Sequence, residues 1–282
     1  MTQTKAFEFV TLLAHELSEG KIELPGFPRV FAQVCSALND PATDAAKMAS
    51  IVGAEPALAA RLLAMANSVA FNESGRAVGD LPAAIVRLGD MNVRSSASAF
   101  AMAQVRHQSS LQAVSGPLRR LWERSTLVAA LSYVIAGRSS VNPDEAFLAG
   151  LMHGIGRLYL LARISERGDL ANATDEMREL TDGWHAAIGK SLLEHWNFPA
   201  GIVEAVEEQD NAARRPHAAA DVADVLICAR YLGEYAGDLA SLRTQVDNNR
   251  AFRQLRLSQD ICAAIIKDAA VEIDALRSAL GE

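Results

Sequence analysis

Apolar residues recur at three- and four-residue intervals along most of the chain, and no stretch alternates apolar and polar positions as a half-buried strand would. Phe7, Phe9, Val10, Leu13 and Leu17 predict a short amphipathic helix that stops near Gly20. Leu24-Pro25-Gly26-Phe27-Pro28 cannot be helical inside, and Pro28 is placed to begin a helix with Val30, Phe31, Val34, Cys35 and Leu38 on one face. Asn39-Asp40-Pro41 ends it. Thr43 is expected to cap a helix holding Met48, Ile51 and Val52, and Glu55-Pro56 to open one with Leu58, Leu62, Leu63 and Ala66 inward. Asp80 reads as the cap of Leu81–Gly89, and Asp90–Val105 as a further helix rich in small residues.

The second half is more apolar. Leu118–Ala136 predicts a long helix stopped by Gly137. Pro143–Leu161 predicts another, with Pro143 at its first position and Asp144 and Glu145 in the first turn, where the helix dipole favours negative charge. Only His153 and Arg157 interrupt its apolar run, so it belongs inside a bundle. A polar helix near Asn172–Asp182 follows, then a hairpin of His185–Trp196 and Pro199–Gln209. Arg214-Arg215-Pro216 is a break, Ala218–Tyr235 an apolar helix, Asp238–Arg256 a polar stretch and Leu257–Leu280 a closing amphipathic helix. The fold class is all-α.

Composition narrows the function. A net charge of −7 argues against sequence-independent nucleic-acid binding and against docking on an anionic membrane. The weakly charged runs Leu127–Gly137 and Phe147–Ala162 fall short of the roughly 20 residues of a membrane span. The first residues lack a signal-peptide core. Cys35, Cys228 and Cys262 lie far apart among apolar neighbours, which reads as buried thiols in a reducing compartment. A soluble, cytoplasmic protein is expected.

Three patterns carry candidate chemistry. Gly189-Lys190-Ser191 has the ending of a phosphate loop, but Trp184 stands where its first glycine belongs and no strand leads in, so a helix face is the better reading. Arg250, Arg253 and Arg256 form a basic stripe flanked by Asp247 and Asp260, which reads as a solvated face. His153, His185 and His195, with Asp221 and Asp224, could gather in a bundle and bind a divalent metal. No His/carboxylate pair at helical spacing forces that reading. Spacing alone favours a core histidine for His153, with a hydrogen-bond partner.

Taken together, Leu24-Pro25-x-x-Pro28, Leu38-Asn39-Asp40-Pro41, Glu55–Leu63, Ala66-Asn67-Ser68, Ala84–Gly89 with Val93-Arg94, Leu121–Ser125, Ala149–Leu158 and Leu192–Pro199 resemble the HDOD family, in one order over about residues 22–215. The resemblance implies a helical N-terminal lobe (22–110) and a lobe shaped like an HD domain (111–215). Residues 1–21 form an N-terminal helix beside it, and 216–282 a helical extension expected to pack on the HD-like lobe. It further implies a non-catalytic relative of the HD metal-dependent phosphohydrolases that serves bacterial signal transduction.

An active HD site needs a histidine, then a His-Asp pair, then a later aspartate. By the resemblance these positions hold Arg124, His153-Gly154 and Asp224, while His185 matches a histidine of two-metal relatives and Gln209-Asp210 replaces a further His-His pair. A fixed cation thus stands for one ligand and no side chain for another. The expected remnant is a pocket of Arg124, His153, Gly154, His185 and Asp224, with Arg124 paired to Asp224 and no metal, cofactor or catalytic residue. Expected partners are signalling proteins, with a homodimer left open. No receiver, cyclase or DNA-binding segment is recognisable, so input or output is expected from another chain. The rival reading is a phosphohydrolase acting on a nucleotide or cyclic dinucleotide.

Overall fold

The computed structural model describes residues 9, 11–13, 15–16, 24, 26–72, 75–106, 108–166, 174–211, 214, 219–235 and 237–280. Among them there is helix and no strand. The expected stop at Gly20, the break at 215–216 and a helix start at Ala218 lie outside the described residues.

Among the described residues the N-terminal part includes α1 (Arg29–Leu38), α2 (Ala45–Gly53), α3 (Pro56–Ala66) and α4 (Leu81–Arg106), with helical residues also at 9, 11–13 and 15–16. Pro28 precedes α1, which buries Val30, Phe31, Val34 and Cys35 as their spacing requires. Asp44, rather than Thr43, caps α2, accepting from Lys47 N at 2.7 Å. Asp80 caps α4 through Ala83 N at 2.8 Å. Gly89 does not end that helix but kinks it, with φ at +73°, a conformation that favours glycine. All three shorter helices pack on α4.

A 3₁₀ turn (Ser109–Val114) leads to α5 (Ser115–Ala136), the post around which the second part stands. Packed on it are α6 (Pro143–Met152), α10 (Val222–Tyr235) and α13 (Gln259–Leu280). Between α6 and α10 in sequence come α7 (Ile155–Ser165), α8 (Thr174–His195) and α9 (Ala200–Glu208), and between α10 and α13 come α11 (Leu239–Asn248) and α12 (Arg250–Gln254). The polar and His185–Trp196 segments, expected as two helices, are the single α8.

Asn142 starts α6 by accepting from Asp144 N at 2.9 Å and Glu145 N at 3.3 Å, with Pro143 at the first position. The expected continuous helix from Pro143 to Leu161 is in fact two, broken at His153-Gly154. The whole Pro143–Ser165 stretch is long and apolar enough to cross a membrane by composition, yet 83% of its most apolar window is buried in the fold.

Small residues set the spacing here. A Cβ on Gly150 would stand 2.6 Å from Ala129 Cα, so α6 and α5 touch backbone to backbone. A Cβ on Gly156 would fall onto the carbonyl oxygen of His185, which locks α7 against α8. The two parts join through α4–α6 packing and an aromatic cluster. In it Phe27 stacks on Trp196 at 5.4 Å, Phe31 meets Trp196 edge-on at 4.9 Å, and Arg94 lies over Phe198 at 5.0 Å.

Candidate functional site

His153 closes α6 and Gly154 opens α7, so the break in the apolar stretch is also the site. Nδ1 of His153 lies 2.6 Å from the carbonyl oxygen of Gly150. A carbonyl only accepts, so Nδ1 carries the proton and Nε2 presents a lone pair. That Nε2 is buried and makes no hydrogen bond. Burial, then the nearby charges of Arg230, Arg124 and Arg157, push the imidazole well below its ordinary pKa and hold it neutral.

His185 on α8 is also buried, and its Nε2 lies 2.9 Å from Oδ2 of Asp210, just past α9. A carboxylate accepts, so here Nε2 donates and the buried Nδ1 is left without a partner. Burial lowers this imidazole's pKa too, against the opposing pull of Asp210. Oδ1 of Asp210 lies 2.5 Å from Nη2 of Arg230 on α10. Burial would raise the Asp210 carboxyl, but the His185 hydrogen bond and the Arg230 charge outweigh it and hold it well below the usual carboxylate range.

Arg230 also donates to the carbonyl of Gln209, whose side-chain Nε2 donates to His153 O at 3.0 Å and Val206 O at 2.8 Å. One connected network therefore runs His185–Asp210–Arg230–Gln209–His153, drawn from α8, α10 and the C-terminal ends of α6 and α9. Two further arginines act on it electrostatically. Arg124 on α5 pairs with Glu234 at 3.2 Å, and Arg157 on α7 with Asp182 at 3.1 Å, both carboxylates about half exposed.

This donor set fits a divalent metal poorly. Two neutral imidazole lone pairs are present, but Asp210 is committed to His185 and Arg230, and three guanidinium groups surround the histidines. Among the described residues no group of three or more His, Cys, Asp or Glu side chains is arranged to hold a metal ion. A Cβ on Gly154 would meet Leu121 Cδ1 at 2.7 Å and Ser125 Oγ at 3.2 Å, so Leu121 and Ser125 pack into the space that the second side chain of a His-Asp pair would take. The excess of inner positive charge favours an anion over a cation.

Arg124, His153, Gly154 and His185 lie in this region, while Asp224 is engaged elsewhere. Its Oδ1 lies 3.2 Å from Nη1 of the buried Arg214, which also binds Glu204 at 2.9 Å and Asp221 at 2.5 Å. The expected Arg124–Asp224 pair does not form, because each finds a nearer partner of opposite charge.

Sequence reasoning missed Arg230 and the role of Arg157. The signal for Arg230 was present, a lone charge inside the apolar run VLICARYL. His195 is exposed at the end of α8. Gly189-Lys190-Ser191 lies within α8, where Gly189 admits Val206 and Lys190 pairs with Glu207 at 2.8 Å, so it is no phosphate loop. Arg250, Arg253 and Arg256 are exposed, and Arg253 donates to Asp247 O at 3.1 Å.

Comparison with known proteins follows the same outline. The solved structure of a protein from Shewanella amazonensis SB2B, provisionally named a metal-dependent phosphohydrolase, superposes with a TM-score of 0.73 at 24% identity, over 96% of this chain and 99% of that one. An HDOD domain protein of unknown function from Geobacter sulfurreducens gives 0.60 at 20% identity, over 100% and 99%. A provisionally named signal transduction protein from Marinobacter aquaeolei VT8 gives 0.59 at 19%, over 92% of this chain and 60% of that one. An uncharacterised protein of Treponema pallidum (strain Nichols) is 22% identical over 220 residues, and the match spans 73% of this chain and 41% of that curated relative. The description of the HDOD domain matches residues 24–212. With two thirds of its length matched in this way, the chain belongs to the HDOD family.

Proposed function

We propose that this chain is a non-catalytic, cytoplasmic regulatory module of signal transduction that acts through contacts with other proteins and has a degenerate HD site. The observation that carries the reading is the arginine network: Arg230, Arg124 and Arg157 gather their charge about two neutral histidines, where hydrolysis would need a cation and a free carboxylate. Membership of the HDOD family supports a regulatory role, as does a shared fold with a protein provisionally assigned to signal transduction.

The name of the Shewanella relative supports the second reading, a metal-dependent phosphohydrolase. Elemental analysis of purified protein, with phosphomonoester and cyclic-dinucleotide turnover assayed before and after added manganese or iron, separates the two. The regulatory reading expects no stoichiometric metal and no turnover. One equivalent of bound transition metal with turnover that His153→Asn abolishes would reverse it.

A further inference from the structure

We propose that the site at the α6–α7 break binds a phosphate group that carries a hydroxyl, held by arginine and histidine side chains without a metal. The proposal deepens the regulatory reading above and rests on it, making the degenerate site a sensor. Six polar side-chain atoms of this region are buried and make no hydrogen bond: Nε of Arg124, Oγ of Ser125, Nε2 of His153, Nδ1 of His185, Oε1 of Gln209 and Nε of Arg230. Ser125, His153, His185 and Gln209 are each at most 1% exposed. Buried polar groups in folded chains are nearly all paired, so six orphans about one turn point to a polar ligand. Gln209 and Asp210 tie Arg230 to both histidines, and Ser125 Oγ lies 3.2 Å from where a Cβ on Gly154 would stand.

The donors and acceptors left over define the ligand. Arg124 uses Nη2 on Glu234, and Arg230 uses Nη1 on Gln209 O and Nη2 on Asp210, which leaves a cationic Nε–H donor on each. Arg157 adds a third positive charge beside the histidines. The carboxylates paired with these arginines, Asp182, Asp210 and Glu234, are all about half exposed, so solvent screens them more than the inner guanidinium charge. That balance selects an anion. Opposite the donors stand two acceptors. Nδ1 of His153 donates to Gly150 O, so its Nε2 offers a lone pair, and Nε2 of His185 donates to Asp210, so its Nδ1 does. An oxyanion of bare oxygens would set lone pair against lone pair there. Hydrogen phosphate, or a phosphomonoester that keeps one proton, accepts from the arginines and donates its O–H to an imidazole. Sulfate has the same shape and no O–H at neutral pH.

Isothermal titration of the full chain, treated with EDTA and held near neutral pH in phosphate-free buffer, tests this with inorganic phosphate, glycerol phosphate and sulfate. Saturable binding of one equivalent of a phosphate probe is expected, with sulfate at least about tenfold weaker, as a buried acceptor left without its donor predicts. The tighter of the two phosphate probes identifies the source, free ion or monoester. Arg124→Met removes one donor and one charge at a partly exposed position, and should weaken binding about tenfold. Arg250→Met, the same change on the exposed stripe, should leave binding unaltered. Thermal melts confirm that both variants fold, and the phosphate–sulfate comparison uses the unaltered chain.

No binding of either phosphate probe, sulfate bound as tightly as phosphate, or an affinity indifferent to Arg124→Met would each overturn the phosphate site and leave the regulatory reading intact. Metal-loaded protein that turns over glycerol phosphate overturns the reading, and with it the metal-free site.

Discussion

At the scale of single residues, the ion pairs differ in kind. Arg124 and Glu234 are both more than a third exposed, so Arg124→Met should cost less than about 1 kcal/mol, because exposed pairs contribute little. Arg214 is buried and shares its charge among Glu204, Asp221 and the buried Asp224. Removing it withdraws the cation from buried carboxylate, so Arg214→Met should cost about 3–5 kcal/mol. Urea unfolding of both variants checks the order.

The histidines make stability depend on pH. His153 and His185 have pKa values lowered in the folded state, and in the unfolded chain they return to about 6.5. Below that pH the unfolded chain binds protons that the folded chain refuses, so stability falls as pH falls. Each histidine contributes up to about 1.4 kcal/mol per pH unit. Unfolding measured between pH 7 and 5 should show this slope, and His153→Asn should flatten it. The lowered carboxyl of Asp210 acts in the same direction at lower pH, where stability is lost as the acid falls below the ordinary carboxylate range.

At the scale of elements, α7 and α8 give a sharp contrast between two glycines. Gly156→Ala should destabilise by about 3 kcal/mol, since its methyl would collide with the backbone of α8. Gly183, inside α8, has nothing within 4 Å of such a methyl, and its alanine variant should gain about 0.5–1 kcal/mol from helix propensity. Paired denaturation curves test both signs.

Helices were legible in the sequence wherever the signal was local. Pro143 with Asp144 and Glu145 marks the start of α6, and Asp80 that of α4. The turn at His153-Gly154 was hidden, because the apolar pattern runs on through it and glycine is tolerated inside a helix. Likewise the family pattern located Arg124, His153 and His185, but Arg230 and Asp210 meet across 20 residues of chain and no spacing rule joins them. Asp224 misled for the opposite reason. Its motif was in place, while its charge partner, Arg214, is chosen by packing.

At the scale of the molecule, the two parts are held by side chains contributed from both. Trp196 touches Phe27 and Phe31 from the N-terminal part and Phe198 from its own. Trp196→Ala should cost about 3–5 kcal/mol, the range for a large aromatic removed from a core. It should also speed limited proteolysis in the N-terminal helices more than in α5 or α6, as mass spectrometry of the fragments would show.

The apolar stretch Pro143–Ser165 has a different consequence, in the order of synthesis. Its cover includes α10, which begins at Val222 and leaves the ribosome several seconds later at about 5–20 residues per second. During that interval the nascent chain displays a segment that meets the length and hydropathy of a membrane anchor. For that time its apolar side chains lack the cover that the finished bundle gives them, and exposed apolar surface of this kind is what makes partly folded chains prone to aggregate.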